Sequence, residues 1–379
     1  MRFKINHKKF ILFLLCLQNA AISFNVSALT ATIPSISNDL GILDLVASKI
    51  IPFYMIPYGL GALLYAPLAK RFSIKTIMVT SMVVFSLANF LCAKANAIEP
   101  ILILRIITGI AGAGVVPLGL ILIGKLYENH VRGRVVGLFF SFSFVAALSG
   151  IILSGFASWR WLFLVPSLIG LVAAGCLFID RGDYLGRVQG NVDYSILFKE
   201  RKILHIFIFI LIISLLYHSV DRWLGVFLSR MYHFNQLTIS LLFALIAVSG
   251  AVGQNVGGYL TDKKGRIKSC QAGIVMLAAA TIALSAMLPA KAVAVIFVVF
   301  AAGWSIGHNG ISTVLTDFPE QYRSELASLN SSLRFVAGGI GVFISGVFVE
   351  KSFGITFLVI GILMLVLALF LKKIIPEET

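Results

Sequence analysis

Long apolar runs, separated by short stretches of charged or turn-forming residues, recur along the whole chain. A helix needs roughly 20 apolar residues to cross the bilayer core, where only an intact helix satisfies its own backbone hydrogen bonds. The runs lie near 10–33, 47–69, 76–94, 99–124, 134–157, 161–180, 204–228, 237–260, 268–289, 292–316, 327–350 and 354–372. The sequence therefore predicts an all-α integral membrane protein with 12 transmembrane spans.

The distribution of charge supports this class and gives an orientation. Hydrophobic residues make up 59% of the chain and charged residues 12%, which excludes an ordinary water-soluble protein. The net charge of +15 does not indicate a nucleic-acid partner, because Lys and Arg fall between the apolar runs rather than on one patch. They concentrate in alternate loops, which predicts a multi-pass protein of the plasma or inner membrane with both termini cytoplasmic.

The N-terminus raises the question of a cleaved signal. Its basic residues and the apolar run from Phe10 resemble a secretory signal peptide. The run continues to about Ile33, however, and further runs follow it. We expect an uncleaved first span.

A polar stretch near the middle of the chain divides it into two halves. We expect a six-span bundle at 1–180, a cytoplasmic linker at 181–203 and a second six-span bundle at 204–379. An internal repeat supports the division, because Leu68-Ala69-Lys70-Arg71 matches Leu260-Thr261-Asp262-Lys263 at an offset of 192. Parallel repeats of this kind are typical of one architecture of secondary transporters.

The loop after predicted span 8 carries a recognisable motif. Residues 258–266 read Gly-Tyr-Leu-Thr-Asp-Lys-Lys-Gly-Arg. They resemble the signature loop of the major facilitator superfamily, with Gly258, Asp262, Gly265 and Arg266 at fixed positions. The resemblance implies two pseudo-symmetric six-helix bundles and a gating role for this loop. The first copy is eroded, because Lys70 stands where the family has its acidic residue.

Three stretches of the N-terminal half resemble the drug:proton antiporter branch of that family. They are Ala31 to Leu40, Arg105-Ile-Ile-Thr-Gly109 and Ser158-Trp-Arg-Trp-Leu-Phe163. The Gly-Pro pair of that branch in span 5 is absent, since 144–155 contains no proline. This departure leaves antiport less well supported than the fold.

Polar residues inside the apolar runs are candidate functional groups, because charge at membrane depth is costly unless it faces a partner or a cavity. The resemblance implies that spans 1, 4, 7 and 10 line the substrate cavity, and the candidates fall on those spans. They are Gln18, Asn19, Asn25, Arg105, His218, Asp221, Arg222, Trp304, His308 and Asn309. Two alternatives stay open: Asp221 and Arg222 form an interfacial pair if span 7 ends early, and His308 makes a helix-to-helix hydrogen bond.

Asp221 is the carboxylate that the predicted boundaries place inside a span. Its protonation can change with hydration as a cavity opens and closes, which suits proton coupling. His218 lies one helical turn away and can share the proton. We therefore expect Asp221 and His218 to couple transport to protons.

The leading hypothesis is a secondary transporter that exports small amphipathic or drug-like solutes in exchange for protons. One alternative is a facilitative or proton-symport permease for a sugar or another metabolite. A second is a membrane sensor that uses a transporter fold without transporting. The sequence shows no nucleotide-binding loop and no metal-ligand spacing, so we expect no enzymatic activity, no metal and no cofactor. The expected partners are a small solute, protons and the lipid bilayer, and we expect a monomer.

Overall fold

The computed structural model describes residues 2–180, 194, 200–315, 318 and 323–374, and these are helical almost throughout. The expected linker lies largely outside the described residues. The helices are α1 (Arg2–Val26), α2 (Ala28–Leu40), α3 (Asp44–Ala47), α4 (Pro52–Arg71), α5 (Ile74–Lys94), α6 (Ile98–Gly112), α7 (Val115–Leu126), α8 (Asn129–Phe156), α9 (Trp161–Ile179), α10 (Arg201–Asp221), α11 (Leu224–Tyr232), α12 (Gln236–Lys264), α13 (Arg266–Ser285), α14 (Ala290–Val314), α15 (Arg323–Val349) and α16 (Phe353–Ile374), with a 3-10 turn at Ser48–Ile50.

Within the described ranges, 12 helical segments are long and apolar enough to cross a membrane, which confirms the predicted fold class. Spans 1, 3, 5 and 6 are α1, α5, α8 and α9, and spans 8 to 12 are α12 to α16. Spans 2, 4 and 7 each combine two helices: α3 with α4, α6 with α7, and α10 with α11. The protein is a multi-pass membrane protein.

The first helical region runs further than the apolar run predicts. A turn at Ser27 separates α1 from α2, and α2 continues past Pro34 to Leu40. It stops at Gly41, which has a φ of 64° in the left-handed region where glycine carries no side-chain penalty. Helix α2 therefore ends at a glycine that adopts a left-handed conformation. This end lies beyond the end of the apolar run.

The chain forms two compact units, Met1–Val192 and Asp193–Thr379. In the N-terminal unit, span 1 packs against spans 5 and 6, span 2 against span 4, and span 3 against spans 4 and 6. In the C-terminal unit, span 7 packs against spans 11 and 12, span 8 against span 10, and span 9 against spans 10 and 12. The same pairs recur six spans later, as expected of pseudo-symmetric bundles.

Glycines allow close helix contacts at equivalent places in both units. A Cβ atom on Gly150 of span 5 would lie 2.0 Å from the carbonyl oxygen of Phe24 in span 1. One on Gly341 of span 11 would lie 2.4 Å from the carbonyl oxygen of Leu215 in span 7. Close backbone approach at small residues is the usual way in which membrane helices gain packing energy.

Candidate functional site

The C-terminal unit buries a carboxylate within span 7. Asp221 is 6% exposed and is the last residue of α10. Its Oδ1 accepts a hydrogen bond of 3.2 Å from the hydroxyl of Tyr217. Its Oδ2 lies 3.1 Å from Nε of Arg222 and 3.9 Å from Nδ1 of His218. Both carboxylate oxygens are therefore engaged by neighbours on the same span.

The break after Asp221 is held by contacts with span 11. Trp223 is fully buried, and its indole nitrogen lies 3.4 Å from the carbonyl oxygen of Val342. Ser219 donates a hydrogen bond of 2.9 Å to the carbonyl oxygen of Gly341. The span then resumes as α11 and continues to Tyr232. Asp221 and Arg222 thus lie within span 7 rather than at its end.

A stack of four aromatic rings joins spans 7 and 10 beside this carboxylate. The ring of Tyr217 lies 3.7 Å from that of Trp304, with an interplanar angle of 6°, and 5.5 Å from that of Phe300. Trp304 stacks in turn on His308 at 5.6 Å. Phe300, Trp304 and His308 follow one another at intervals of four residues, which puts them on one face of α14. Tyr217 therefore contacts the carboxylate through its hydroxyl and the stack through its ring.

Two rings of the stack also line a small cleft within the C-terminal unit. Trp304 and His308 line it together with Gly303, Gly307 and Arg334. The other lining residues are Phe209, Ile210, Ile213, Ser214, Ile274, Leu277, Ile311 and Asn330. Ser312 lies 3.2 Å from Nε2 of His308 and fixes the orientation of that ring.

Arg334 in span 11 is a polar group that the sequence analysis missed. It lies well inside α15 and lines the same cleft as Trp304 and His308. Arg334 is visible in the sequence as an arginine inside an apolar run. It was not among the candidates because these were taken from spans 1, 4, 7 and 10. Glu325 was also placed outside span 11 by the predicted boundaries, whereas the structure has it at the start of that span.

Asn309 contacts span 8, whereas His308 contacts Trp304 and Ser312 on its own helix. Its Oδ1 accepts a hydrogen bond of 3.3 Å from Thr261, and its Nδ2 donates one of 3.4 Å to the carbonyl oxygen of Gln254. Both partners belong to span 8. The contact holds span 10 against span 8 and is separate from the cleft.

In the N-terminal unit, the polar candidates of span 1 are buried between helices. Asn19 donates a hydrogen bond of 3.0 Å to the carbonyl oxygen of Phe139 in span 5. Asn25 donates one of 3.0 Å to Oδ1 of Asn89 in span 3. Gln18 is fully buried, and its amide group has no hydrogen-bond partner within the described part of the chain. Asn19 and Asn25 thus join helices directly.

Arg105 of span 4 is buried against span 2. Its Nε donates a hydrogen bond of 3.1 Å to the carbonyl oxygen of Ile50, and its guanidinium carbon lies 4.1 Å from the centre of the Tyr54 ring. A Cβ atom on Gly109 would lie 2.5 Å from the carbonyl oxygen of Tyr54. Glycine one turn after Arg105 therefore lets span 4 approach span 2 closely enough to form the cation–π contact.

Two of the stretches that carry the family resemblance meet at one end of the N-terminal unit. Asp39 accepts a hydrogen bond of 2.5 Å from Arg160 and one of 3.1 Å from the indole of Trp159. Arg160 also donates to Asn96 at 3.0 Å. The hydrogen bond from Arg160 lowers the pKa of the Asp39 carboxyl, because it favours the ionised form. The cluster joins α2 to the start of α9.

The signature motif was predicted as a loop, but in the structure residues 258–264 form the last turns of α12, and only Gly265 lies between α12 and α13. Gly265 has a φ of 88°, a conformation that side chains other than glycine rarely adopt, and Arg266 begins α13. Gly258 lies beside the amide of Asn309. The side chain of Asp262 is exposed and accepts no hydrogen bond in the ranges that the structure describes. The same ranges contain no group of 3 His, Cys, Asp or Glu residues that could hold a metal ion.

Comparison with known proteins identifies the family. The sequence model of the Major Facilitator Superfamily matches residues 15–342. The multidrug transporter protein MdtP of Bacillus subtilis is 28% identical over 180 residues, which are 45% of this chain and 32% of that protein. The efflux pump hmp6 of Hypomyces subiculosus is 28% identical over 173 residues, which are 44% of this chain and 30% of that protein. The aligned region spans about a third of the length of these relatives.

Solved structures show the same fold over the whole chain. A bacterial homologue of the human lysosomal transporter Spinster, in an inward-facing and occupied conformation, has a TM-score of 0.78 at 15% identity. The match covers 97% of this chain and 96% of that one. A D-xylose–proton symporter also has a TM-score of 0.78 at 15% identity, covering 97% of this chain and 98% of that one. At this identity the likeness concerns the fold alone.

Proposed function

Because this chain belongs to the Major Facilitator Superfamily, we propose that it is a secondary active transporter that exports small amphipathic solutes in exchange for protons. The observation that carries the proposal is the buried carboxylate of Asp221 within span 7. Intramembrane ionisable groups are expensive and are usually retained for function. Asp221 is also held by groups that respond to its charge, namely Arg222 and His218.

The proposed coupling follows from the contacts of Asp221. When the carboxylate is ionised, it holds Arg222 at 3.1 Å and accepts the hydroxyl of Tyr217. Protonation removes the negative charge, so that the ion pair is lost and Arg222 must find other partners. The stack of Tyr217 on Trp304 then becomes free to shift. The binding of a proton at Asp221 and the binding of a solute against the stack would thus affect one another through Tyr217.

Export is supported by the names of the relatives, which are described as a multidrug transporter and an efflux pump. Each aligns with less than half of this chain, so direction and solute class belong to the proposal. We place the protein in the plasma or inner membrane as a monomer with both termini cytoplasmic. The bias of Lys and Arg toward alternate loops supports that orientation.

Inside-out vesicles from cells that overproduce the protein provide the direct test. A panel of fluorescent dyes, antibiotics and sugars is offered with an imposed pH gradient, with and without a protonophore. We expect gradient-dependent accumulation of at least one amphipathic compound and loss of that accumulation with the protonophore. Gradient-dependent movement of none of the panel would contradict the proposal and favour the sensor.

A permease for a sugar or another metabolite is a second candidate. Helix α8 contains no proline where the antiporter branch has its Gly-Pro pair, and this observation favours a transporter without the antiport feature. The same vesicles distinguish the two. Sugar movement that persists with the protonophore indicates a facilitator, whereas sugar movement in the direction of the proton gradient indicates symport.

A further inference from the structure

An apolar groove lies on the exposed surface of the C-terminal unit, where spans 7 and 12 pack side by side. It holds about 260 Å³ of free space, and it is open because Leu363, Val366 and Phe370 are each between 44% and 49% exposed. The lining residues are Ile212, Leu216, Leu363, Val366, Leu367 and Phe370. In a membrane-spanning chain such a surface faces hydrocarbon, so an apolar group must fill the groove.

The size of the groove limits what can fill it. A helix with its side chains is about 10–12 Å across, so a space of 260 Å³ is too small to seat one. A single file of methylene groups needs only the width of one chain and can lie there. Lipid tails are as apolar as the groove, however, so this fit alone gives no preference for one lipid over another. Any preference must come from the headgroup.

One face of α10 connects the groove to polar side chains. Arg201 and His205 are exposed at the start of this helix, and Ile208 is 44% exposed one turn further on. Ile212 and Leu216, which line the groove, follow at intervals of four residues. Because all five positions are spaced by three or four residues, they form one stripe along the helix. The stripe begins with a cation and ends in the groove.

The length of this stripe matches one leaflet of a bilayer. At 1.5 Å per residue, Arg201 and Leu216 are about 22 Å apart along the helix axis. A bilayer with its headgroups is about 40–45 Å thick, and half of it is therefore about as long as the stripe. When Arg201 lies at the level of the headgroups, Leu216 lies near the midplane. A lipid whose phosphate contacts Arg201 can thus place its tail in the groove.

The charges at the headgroup end of the stripe favour an anion. Span 7 begins and span 12 ends on the same side of the membrane, and the charge bias predicts that this side is cytoplasmic. In the described ranges, these two helix ends carry Arg201, Lys202 and Lys372 against one acid, Glu200. The N-terminus of α10 adds the positive end of its dipole. Basic residues between membrane helices on the cytoplasmic side are a typical site for anionic headgroups.

We propose that the groove holds one acyl chain of an anionic phospholipid, whose phosphate lies against Arg201 and His205. The guanidinium supplies charge and hydrogen bonds to the phosphate, and the imidazole supplies a further polar contact. The groove fixes the position of the tail, and the stripe selects the headgroup.

Lipid titration of the purified full chain tests the proposal. The chain is stripped of lipid in a mild detergent and titrated with phosphatidylglycerol or with phosphatidylcholine of the same acyl chains, at constant pH and ionic strength. Native mass spectrometry counts the lipids bound to each molecule. We expect the first phosphatidylglycerol to bind at least about fivefold more tightly than the first phosphatidylcholine, which carries no net charge.

Charge variants locate the headgroup. Arg201→Gln is expected to remove most of the preference for phosphatidylglycerol, while Arg201→Lys keeps it. Lys291→Gln is the control, because Lys291 is an exposed cation of the same unit at the start of span 10, on the opposite side of the membrane. Arg201 is exposed at a helix end, so its replacement should leave the fold intact, and thermal unfolding checks this.

A filling variant locates the tail. Val366→Trp puts a large side chain into the groove and is expected to weaken the binding of both lipids by a similar factor, with their order unchanged. Val295→Trp is the control, because Val295 is a 64% exposed valine of span 10 that does not line the groove. A charge variant should thus change the preference, and the filling variant should change the affinity.

Several results would overturn the lipid site. They are equal affinities of the wild type for the two lipids, a folded Arg201→Gln that keeps the preference, and a Val366→Trp that binds phosphatidylglycerol as tightly as the wild type does. If the lipid-free chain forms a dimer that Val366→Trp dissociates, the groove is an interface between two copies and the lipid proposal is wrong. The proposal is independent of the transport function, because a bound lipid needs no gradient.

Discussion

The two units pack their helices in the same pairs but use polar residues in different ways. In the N-terminal unit, Asn19 and Asn25 bond directly across helices, and Arg105 packs on Tyr54 beside no described carboxylate. In the C-terminal unit, Asp221 lies against the ionisable groups of Arg222 and His218 and accepts a hydrogen bond from Tyr217. The comparison teaches that a repeated scaffold does not imply a repeated site.

The difference follows from what each interior contains. A buried amide pair is neutral and gains nothing from rearranging, so it fixes the spacing of its helices. A buried carboxylate with an adjacent arginine has two charge states that need different surroundings. We therefore expect variants of the N-terminal polar groups to change stability, and variants of Asp221 to change coupling.

The largest effect is expected from Asp221→Asn. The amide cannot ionise, so solute movement driven by a pH gradient should fall to the level of protein-free vesicles. Exchange of solute across a membrane without a gradient should continue. Glu350→Gln serves as the control, because Glu350 also belongs to the C-terminal unit and pairs with Arg230 at 3.0 Å outside the cluster. If Asp221→Asn keeps gradient-driven transport, the proposed coupling role of the C-terminal unit is wrong.

Valine at either helix seam tests whether the scaffold is equivalent. Gly150→Val and Gly341→Val each force a side chain into a backbone carbonyl of the neighbouring span. Each should lower the free energy of unfolding by about 1 to 3 kcal/mol or more, measured by thermal unfolding in detergent. Gly175→Val is the control, since a Cβ atom there meets nothing within 4 Å. A loss of stability in only one of the two variants would show that the two helix pairs are not equivalent.

The amide pair of the N-terminal unit should contribute to stability alone. Asn25→Ala leaves the buried Oδ1 of Asn89 without its donor, which costs about 1 to 3 kcal/mol. A double-mutant cycle with Asn89→Ala should return a favourable coupling energy, while proton-driven transport per folded molecule stays unchanged. Asn255→Ala is the control, because Asn255 is exposed and bonds only within its own helix. A change in proton-driven transport by folded Asn25→Ala would contradict a purely structural role for this pair.

The smallest effect concerns the exposed pair of Asp39 and Arg160. The pKa of Asp39 is lowered in the folded protein, so the pair stabilises above the unfolded pKa of about 3.9 and loses this effect as pH falls through the folded pKa. Asp39→Asn should cost at most about 1 kcal/mol at neutral pH and progressively less below about pH 4. Unfolding temperatures of both proteins between neutral pH and about pH 3 give the comparison. A difference that grows on acidification would contradict it.

The sequence was sufficient for the spans because hydropathy and loop charge are properties of short segments. It located the candidates of span 7, but not the break at Arg222, which depends on Trp223 reaching Val342 in span 11. Contacts between distant spans depend on how each helix is rotated. The stack of Tyr217 on Trp304 was for that reason beyond prediction, although Trp304 itself was named.

Arg334 was missed for another reason. Its charge is visible in the sequence, but the family resemblance directed attention to four other spans. The expected bundle boundaries and the roles of the named site residues stay predictions. The structure adds which of those residues are neighbours: His218, Asp221, Arg222, Trp304 and His308 lie together, whereas Asn309 faces span 8.

The position of Tyr217 has a thermodynamic consequence. One side chain contacts the carboxylate of Asp221 with its hydroxyl and the ring of Trp304 with its own ring. If a solute shifts that ring, it changes the affinity of Asp221 for a proton, and linkage requires the proton to change the affinity for the solute by the same factor. The ratio of the solute affinities at two pH values would therefore also give the effect of the solute on proton binding.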